Sequence, residues 1–379
     1  MSNIAQLDFA PARLPAHQAS SLPPQCYVSD SVCDAEIAQI FRRSWLCVGR
    51  ADIVAAPGDV QALDMAGQSL ILLRDKGGVL RCYANTCRHR GARLVDGASH
   101  CKGIRCPFHS WFYGLDGRLV SAPRMDAAEG FDASQNGLIA YRAEERHGFA
   151  FVCLSPDAPA LDVHMKDFAQ IHAPWPLDTL VTVRRLELEV GCNWKAFLEV
   201  FNEYYHLPFV HPDTVDAVYA LPDPSDDVAG AFATQYGATD GTGGLLEDTQ
   251  HAALPAIPGL TGSAQQGARY TWMFPNMSFA ANQDALWCYE AYPMGPNRCK
   301  VVQTSCFPPA SVALPEFAEK SAVYLDRMDA ALAEDIPALE NQQRGLAHPD
   351  ARPGRFQPDL EPNVASFARW YAGMMQPTA

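Results

Sequence analysis

The sequence predicts an α+β protein with two domains, a small all-β domain followed by a larger domain of antiparallel strands and helices. Two observations support this class. Residues 47–155 consist of short β-rich runs separated by glycine-containing turns, whereas residues 156–379 alternate strand-like runs with helical segments. The chain of 379 residues is long enough to bury two cores. Residues 1–46 are expected to pack as an N-terminal segment on the second domain.

The elements of the small domain follow one another in short steps. Residues 36–45 carry apolar side chains at helical spacing and predict a helix at the entrance to the domain. The β-rich runs SLILLR, VLRCYANTC and GFAFVCL then predict strands. Gly77-Gly78 and Asp116-Gly117 are turn signals between such runs. Short strands joined by turns of this kind indicate an all-β domain.

The second domain begins after a linker that is rich in Pro and Asp. Periodicity then predicts, in chain order, a strand at 180–194, a helix at 194–206, long loops at 220–268, strands at 269–307 and a helix at 313–346. Antiparallel strands flanked by helices are typical of the α+β class.

Composition and charge exclude several functions. The formal net charge is −14 and the chain has no long run of Lys or Arg, which argues against binding to a nucleic-acid backbone. The N-terminus lacks the pattern of a signal peptide, and no long apolar stretch predicts a membrane span. We therefore expect a cytoplasmic protein, whose twelve cysteines serve metal binding more readily than disulfides.

A group of cysteine and histidine residues lies inside the small domain. Cys87 and His89 form a C-x-H pair, and sixteen residues separate them from a second pair. In that second pair, Cys106 and His109 form C-x-x-H. Two cysteines and two histidines suit a tetrahedral zinc ion, or a 2Fe–2S cluster in which both histidines bind one iron. Zinc fingers place paired histidines on a helix, whereas strand-and-turn sequence surrounds these residues, which favours the cluster.

A second pair of histidines lies in the segment EYYHLPFVHP. His206 and His211 are five positions apart, and an unbroken helix would rotate one from the other by ~140°, too far to share a metal readily. Pro208 lies between them, has no N–H and disfavours helical geometry at the preceding residue. We therefore expect the helix to end or bend between the two histidines, so that both can bind one iron.

Two histidines and one carboxylate form the facial triad of non-haem Fe(II) sites. Asp335 is the candidate carboxylate because it shares an apolar helical stripe with Leu332 and Leu339, where an unpaired carboxylate is costly. On the same helix, Glu334 is expected to point away from this stripe. Alternatively, Asp335 caps a new helix that has Pro337 in its first turn.

The motifs of both domains resemble those of one protein family. CRHRGARL and CPFHSWFYGLDGRL resemble the cluster signature of Rieske non-haem iron oxygenases of the α-subunit type, and the segment from NWK to EYYHLPFVHP is similar to the mononuclear-iron motif of the same family. The resemblance implies that a Rieske 2Fe–2S cluster is held by Cys87, His89, Cys106 and His109. It also implies that a single Fe(II) ion is held by His206, His211 and Asp335.

Glu203 is a second acidic residue near the histidines. It precedes His206 by three positions, so it can bind the metal or orient His206 from behind. By resemblance it matches the acid that, in this family, links a cluster histidine of one subunit to an iron-site histidine of the next. Glu in place of the more common Asp at this position is similar to the choline-, betaine- and carnitine-type branch.

The resemblance also implies the wider setting of the protein. The expected fold is an all-β Rieske domain joined to a helix-grip (START-like) catalytic domain, assembled as a head-to-tail homotrimer. The expected activity is that of a terminal oxygenase, which uses O₂ to hydroxylate or N-demethylate a small molecule by monooxygenase or dioxygenase chemistry. Electrons would come from NAD(P)H through a flavin or iron–sulfur reductase or a ferredoxin. We expect neither nucleic-acid nor membrane partners.

The identity of the substrate is the least constrained expectation. An aromatic group could hold a trimethylammonium substrate by cation–π attraction, or could simply pack between strands; it comprises Tyr270, Trp272, Phe274, Trp287 and Tyr289. Hydroxylation of an aromatic compound is the alternative activity. A Rieske electron carrier without oxygenase activity, and a zinc-stabilised binding module, are the alternatives of other classes. Residues 220–268 could gate the pocket or form a surface insertion.

Overall fold

The computed structural model describes residues 4–212 and 214–376. It divides into two compact units. The smaller unit is Arg43–Ala158, and the larger unit combines the residues up to Arg42 with those from Pro159 onward. The domain boundaries expected from the sequence, 47 and 155, fall within the smaller unit. Among the described residues, no helix has both the length and the apolar character required to cross a membrane.

The smaller unit is built from antiparallel strands, as predicted. Its strands are β1 (Trp45–Arg50), β2 (Asp59–Met65), β3 (Gln68–Arg74), β4 (Leu80–Ala84), β5 (Ala98–His100), β6 (Ile104–Arg105), β7 (Phe112–Tyr113), β8 (Leu119–Ser121), β9 (Ala140–Arg146) and β10 (Phe149–Cys153). Seven strands form one sheet in the order β1-β10-β9-β4-β3-β2-β5, and β6-β7-β8 form a second sheet. The loop between β6 and β7 of this second sheet carries Cys106 and His109, so the sheet helps to position that pair.

The helix predicted at 36–45 lies further toward the N-terminus than expected. Helices α1 (Gln25–Val28) and α2 (Asp30–Glu36) come first, and a π-helical turn at Ile37–Phe41 extends α2. Trp45 starts β1 instead of ending a helix. Ser29 is extended and Asp30 supplies an acidic residue to the first turn of α2, which favours a helix start at this point.

The larger unit contains one six-stranded antiparallel sheet. Its strands are β11 (Val181–Val190), β12 (Phe232–Gly237), β13 (Ala268–Met273), β14 (Met277–Ala281), β15 (Leu286–Pro293) and β16 (Cys299–Phe307), arranged in the order β11-β16-β15-β14-β13-β12. Strands β12 to β16 follow one another as a meander, and β11 pairs along the far edge of β16. Strand β12 lies inside the segment predicted as long loops, so that prediction was too broad.

Helices cover this sheet. They are α3 (Leu161–Met165), α4 (Phe168–His172), α5 (Trp194–Phe201), α6 (Leu207–Val210), α7 (Pro309–Val312), α8 (Phe317–Leu346) and α9 (Pro362–Met375). Helix α8 has 30 residues, and buried Met328 accepts hydrogen bonds through its sulfur from Ser305 (3.2 Å) and Gln303 (3.4 Å) of β16. A long helix packed on an antiparallel sheet agrees with the predicted α+β class.

The N-terminal residues are tied to the larger unit by a buried ion pair. Lys195 of α5 and Glu36 of α2 are fully buried, and the Lys195 Nζ atom lies 2.5 Å from Glu36 Oε1. Trp194 donates to Glu36 Oε2 at 2.9 Å, and Tyr371 of α9 donates to Glu36 Oε1 at 2.5 Å. One carboxylate therefore joins three helices, and it holds the start of α5, the helix that precedes the histidine pair.

Candidate metal centres

Two loops of the smaller unit carry the cysteine–histidine pairs on equivalent backbone turns. In the loop after β4, the Cys87 N–H donates to the carbonyl of Ala92 (2.8 Å), and the Gly91 N–H donates to the carbonyl of Cys87 (2.9 Å). In the loop between β6 and β7, the same offsets recur, because the backbone of Cys106 bonds to Trp111 (2.8 Å) and Ser110 (3.1 Å). Each cysteine thus begins a hydrogen-bonded turn that carries one histidine. The two equivalent turns together present two cysteine and two histidine side chains.

The side chains of these loops form a compact group. Both cysteines are buried, and the rings of His89 and His109 lie edge to face with centroids 4.7 Å apart. His89 stacks on Trp111 at 5.0 Å, and its buried Nδ1 atom has no hydrogen-bond partner. The Tyr113 hydroxyl lies 3.3 Å from the Cys87 sulfur. A buried imidazole nitrogen without a partner, beside a second histidine and two buried cysteines, fits a metal-bound nitrogen of a 2Fe–2S cluster.

Two further residues of ligand type in this segment have other partners. The ring of His100 bonds to Asp59 through Nδ1 at 2.8 Å. The backbone N–H of Cys101 donates to the carbonyl of Gly58 at 2.9 Å, and the Cys101 side chain packs at the edge of the small core. Neither residue belongs to the group formed by His89, His109 and the two buried cysteines.

The two histidines of the larger unit flank a single short helix. Helix α5 ends at Phe201, and the Asn202 side chain donates to the carbonyl of Leu198 at 2.6 Å, which caps the last turn. His206 and His211 are the residues immediately before and after α6. The predicted position of the helix break was therefore wrong. Helix α5 ends before His206, and the short helix α6 lies between the two histidines.

This geometry brings three ligand atoms together. The Nε2 atom of His211 lies 3.0 Å from Oδ1 of Asp335, and the Nε2 atom of His206 lies 3.6 Å from the same oxygen. The two imidazole rings have centroids 5.1 Å apart and planes inclined by 72°. One ligand atom from each of the three residues falls within 4.8 Å of the others. Two imidazoles and one carboxylate converging in this way suit a non-haem iron site.

Carboxylates hold both histidines from the opposite side. The Nδ1 atom of His206 lies 2.6 Å from Glu203 Oε1, and the Nδ1 atom of His211 lies 2.6 Å from Glu334 Oε2. Thr214 donates to the same Glu334 oxygen at 2.8 Å. A carboxylate at Nδ1 keeps the proton there and leaves the Nε2 lone pair free for a metal. Glu203 therefore occupies the orienting position beside His206 within its own chain.

Glu334 is a functional candidate that the sequence reasoning missed. It was predicted to point away, yet it contacts His211, because the chain from α6 approaches α8 from the side that Glu334 faces. Burial lowers the pKa of His211, but the hydrogen bonds and negative charges of Asp335 and Glu334 outweigh burial and raise that pKa. No spacing rule within α8 could have revealed this contact, since it depends on a residue 123 positions away.

Asp335 lies inside one continuous helix. Helix α8 runs from Phe317 to Leu346 with Pro337 in its interior, so the alternative in which Asp335 caps a new helix is wrong. Pro337 removes one backbone N–H, but the surrounding turns continue. The apolar stripe of α8 faces the sheet and the histidines, and this stripe carries the Asp335 carboxylate to the Nε2 atoms.

A pocket opens beside these three residues. About 580 Å³ of space, part of it open to solvent, is free of protein atoms there. Its lining includes Phe197, Phe201, Tyr204, Tyr219, Tyr270, Tyr289, Arg327, Ala331, Leu332 and the histidine–carboxylate group. Aromatic rings dominate one wall, with centroid separations of 4.6 Å between Phe201 and Tyr289 and 5.2 Å between Phe201 and Tyr270. Such a pocket can take a small organic molecule next to a metal.

The predicted aromatic wall was correct only in part. Tyr270 and Tyr289 line the pocket, but Trp272 stacks on Phe367 of α9 at 4.0 Å and does not. Phe274 also packs on α9, and Trp287 lies under the guanidinium of Arg327. Tyr204 and Tyr219, which complete the wall, lie outside the strands on which the prediction concentrated.

Comparisons with known families agree with this division of the chain. The family described as "Ring hydroxylating alpha subunit (catalytic domain)" matches residues 177–377, and "Rieske [2Fe-2S] domain" matches residues 44–135. The first match alone covers more than half of the chain. Together the two matches imply a Rieske cluster and a mononuclear iron, and they confirm the family expected from the sequence motifs.

Individual relatives are named as monooxygenases or as their oxygenase subunits. The carnitine monooxygenase oxygenase subunit of Acinetobacter pittii is 32% identical over 53% of this chain and 55% of its own length, so the chain matches little more than half of that relative. The glycine betaine monooxygenase oxygenase subunit of Chromohalobacter salexigens is 25% identical over 94% of this chain and 86% of its own length. The choline monooxygenase of Spinacia oleracea is 24% identical over 96% and 80%.

Solved structures share the fold. The quaternary ammonium Rieske monooxygenase CntA, solved in complex with L-carnitine, superposes with a TM-score of 0.82 at 23% identity and covers 98% of this chain and 99% of its own. Naphthalene 1,2-dioxygenase from a Rhodococcus species, solved with indole, gives a TM-score of 0.75 at 20% identity over 94% of each chain. The chain belongs to the family of ring-hydroxylating alpha subunits, with a Rieske domain preceding the catalytic domain of that family.

Proposed function

We propose that the protein is the terminal oxygenase component of a Rieske-type system, which hydroxylates or oxidatively N-demethylates a small organic molecule with O₂. The observation that carries this proposal is the convergence of the Nε2 atoms of His206 and His211 on the Asp335 carboxylate at the side of an aromatic pocket. A structural site would not need ligands that border a cavity. A catalytic site does, because the substrate must reach the metal.

We assign the ligands as follows. Cys87, Cys106, His89 and His109 would hold the 2Fe–2S cluster, and His206, His211 and Asp335 would hold a single Fe(II). When bound, the cluster supplies electrons and the single iron provides open positions at which O₂ reacts. The residues of this chain supply orientation, because Glu203 and Glu334 hold the two imidazoles with Nε2 directed toward Asp335.

An N-methylated amine is the substrate class that the pocket favours. The phenol rings of Tyr204, Tyr219, Tyr270 and Tyr289 border the cavity, and aromatic faces attract quaternary ammonium groups. The relatives named as carnitine, glycine betaine and choline monooxygenases support the same class. Oxidation of one N-methyl group consumes one O₂, two electrons and two protons, and it releases formaldehyde, water and the demethylated amine.

The histidine end of the cluster loops is the part of this site that would exchange electrons with other proteins. His109 is exposed, and the adjacent Phe108 side chain is 57% exposed, so this end of the smaller unit is open to another protein. We propose that the electrons come from NAD(P)H through a separate reductase or ferredoxin. We also propose a head-to-tail homotrimer, in which the cluster of one subunit serves the iron of the next.

The position of Glu203 supports its role at that subunit boundary. Its side chain borders the substrate pocket and also a second cavity on the other side, lined in part by Glu199, Arg355 and Glu361. His206 borders both cavities as well. A neighbouring subunit that fills the second cavity would reach Glu203, which in turn contacts a proposed iron ligand.

The test uses the iron-loaded, reduced protein with glycine betaine, L-carnitine, choline and an aromatic acid. We expect O₂ uptake and formaldehyde release with at least one N-methylated compound. His206→Ala should keep the visible spectrum of the cluster and abolish turnover, whereas the matched control His100→Ala should keep both. Product formation by His206→Ala would overturn the iron assignment.

The same material separates the competing functions. An electron carrier would show a Rieske spectrum but no substrate-dependent O₂ uptake, and a zinc module would contain zinc and no cluster. Uptake with the aromatic acid and without formaldehyde would move the activity to ring hydroxylation. Metal analysis that finds about two irons per chain, with none lost in His206→Ala, would contradict a mononuclear site.

A further inference from the structure

A buried arginine borders the pocket at the end opposite to the histidines. Arg327, Ala331 and Asp335 are spaced by four residues on α8 and all three line the cavity. Arg327 is only 7% exposed. Asp335 follows it by eight positions on the helix, which corresponds to about 12 Å along the axis. The small side chain of Ala331 leaves the space between the two charged residues open.

The surroundings of Arg327 contain phenols and an indole, but no carboxylate partner. Its guanidinium carbon lies 5.2 Å from the ring centroid of Trp287, and its Nε atom is buried without a hydrogen-bond partner. Within the described residues no ion pair includes Arg327. Burial lowers its pKa, but the neighbouring oxygens of Tyr219, Tyr270 and Tyr289, together with hydrogen bonds to Tyr219 and Tyr270, outweigh burial and raise that pKa, so the group stays charged.

A buried guanidinium that has phenol partners but no carboxylate partner is costly for the fold. A charge taken out of water needs an opposite charge or enough hydrogen bonds to offset the loss of solvation. Among residues 4–212 and 214–376 no acidic side chain pairs with it, although α8 carries acidic residues one and two positions away, at Asp326 and Asp329. A ligand carboxylate is the partner that fits, because the planar guanidinium binds a carboxylate through two parallel hydrogen bonds.

The charges of the pocket are therefore divided between its two ends. Asp335, Glu203 and Glu334 surround the histidines, and their three negative charges would exceed the two positive charges of a bound Fe(II) ion, whereas Arg327 is a cation at the opposite end. A molecule with one positive and one negative group would be oriented by this field. Its ammonium group would lie toward the histidines and its carboxylate toward Arg327.

We propose that Arg327 binds the carboxylate of the substrate, which is therefore an N-methylated amino acid or a longer betaine with its N-methyl groups directed toward His206 and His211. This inference rests on the proposed N-methyl oxidation and narrows it. A trimethylammonium alcohol such as choline lacks the anion that Arg327 requires, so it should bind poorly although it fits the aromatic wall.

The test measures binding separately from turnover. Glycine betaine, L-carnitine and choline are titrated into the iron-loaded protein, and binding is followed by calorimetry and by tryptophan fluorescence, since Trp287 contacts Arg327. We expect the carboxylates to bind more tightly than choline. In Arg327→Met the carboxylates should lose about 10- to 100-fold in affinity, the range for a hydrogen-bonded charged pair, and choline should lose little.

Further variants control for charge and for folding. Arg327→Lys keeps the charge without the two-pronged geometry and should be intermediate in affinity. Arg298→Met removes the same charge from an exposed position of the larger unit and should change nothing. Arg327→Met should denature at a temperature no lower than the parent protein, because it removes a buried charge that has no carboxylate partner. An arginine with a purely structural role would instead lower that temperature.

The outcomes distinguish this inference from the proposed function. Equal affinity of the parent protein for choline and the betaines, or an unchanged carboxylate affinity in Arg327→Met, would overturn the role of Arg327 while leaving the oxygenase proposal intact. Carboxylate binding that depends on Arg327, without O₂ uptake or formaldehyde, would instead keep the carboxylate site and remove N-methyl oxidation.

Discussion

Removal of the Glu334 carboxylate should weaken the proposed iron site without removing any of its proposed ligand atoms. Glu334 Oε2 lies 2.6 Å from Nδ1 of His211 and also accepts a hydrogen bond from Thr214. In Glu334→Ala the imidazole loses the group that holds its proton on Nδ1 and orients its ring. Neither the position of Asp335 nor the fold of α8 depends on this side chain, because alanine is a strong helix former.

The expected magnitude follows from how such partners act on metal-bound histidines. Loss of the acceptor behind one ligand typically costs about 10- to 100-fold in metal affinity, or about 1.4–2.8 kcal/mol. Glu334→Gln should cost less, since its amide oxygen can still accept the Nδ1 proton. The measurement is an anaerobic Fe(II) titration of apo-protein that retains its cluster, followed by turnover at saturating iron, which should recover in both variants to a large extent.

Two results would refute this reasoning. The matched control Asp326→Ala removes an exposed carboxylate from the same helix and should bind iron like the parent protein. If Glu334→Ala behaves like this control, the contact with His211 has no functional weight. If the cluster spectrum is lost as well, the substitution has disturbed more than the histidine site.

Two further predictions concern Glu203 and Glu199. Glu203→Gln should retain both metal centres, because an amide oxygen can still accept a hydrogen bond from His206. Oxidation of the cluster in a single turnover should nevertheless slow. An unchanged rate in stopped-flow visible spectra would contradict the proposed bridging role. Burial raises the pKa of Glu199 to about 7 from an ordinary value of 4.5. The neutral carboxyl therefore stabilises the fold below about pH 4.5, and this contribution is lost as the pH rises through about 7. Glu199→Gln should flatten that dependence in denaturant titrations at pH 5 and pH 8, and identical pH profiles for variant and parent would exclude Glu199 as its source.

The cluster loops show how much local sequence can reveal. The pairs C-x-H and C-x-x-H each lie on one short turn, so the spacing of Cys87 and His89 largely determines where their side chains point. In the structure, backbone hydrogen bonds at the same offsets from Cys87 and Cys106 hold both turns in equivalent conformations. Short spacings are informative because few bonds separate the two residues of a pair. The two pairs are brought together by strands, which the sequence pattern also predicts.

The iron site was only half accessible from sequence. His206, His211 and Asp335 could be proposed as ligands, because ligand chemistry restricts the residue types and an apolar stripe restricts the helix face, and the structure brings these three residues together. The path between the histidines was not predictable, since the Asn202 side chain ends α5 by a bond to Leu198 and by another to Ser278 on a distant strand. Local propensity describes where a helix can end, but a tertiary partner selected the end here.

The sequence by itself determined the two-part α+β organisation and the residue types available for two iron centres, because both follow from short-range periodicity and short ligand spacings. Only the tertiary structure decided that Glu334 contacts His211, that Tyr204 and Tyr219 complete the aromatic wall, and that Arg327 borders the cavity with its Nε atom unpartnered. Each of these depends on contacts between elements far apart in the chain. The direction of a helical side chain can be read from its own helix, but what it meets there is set by packing.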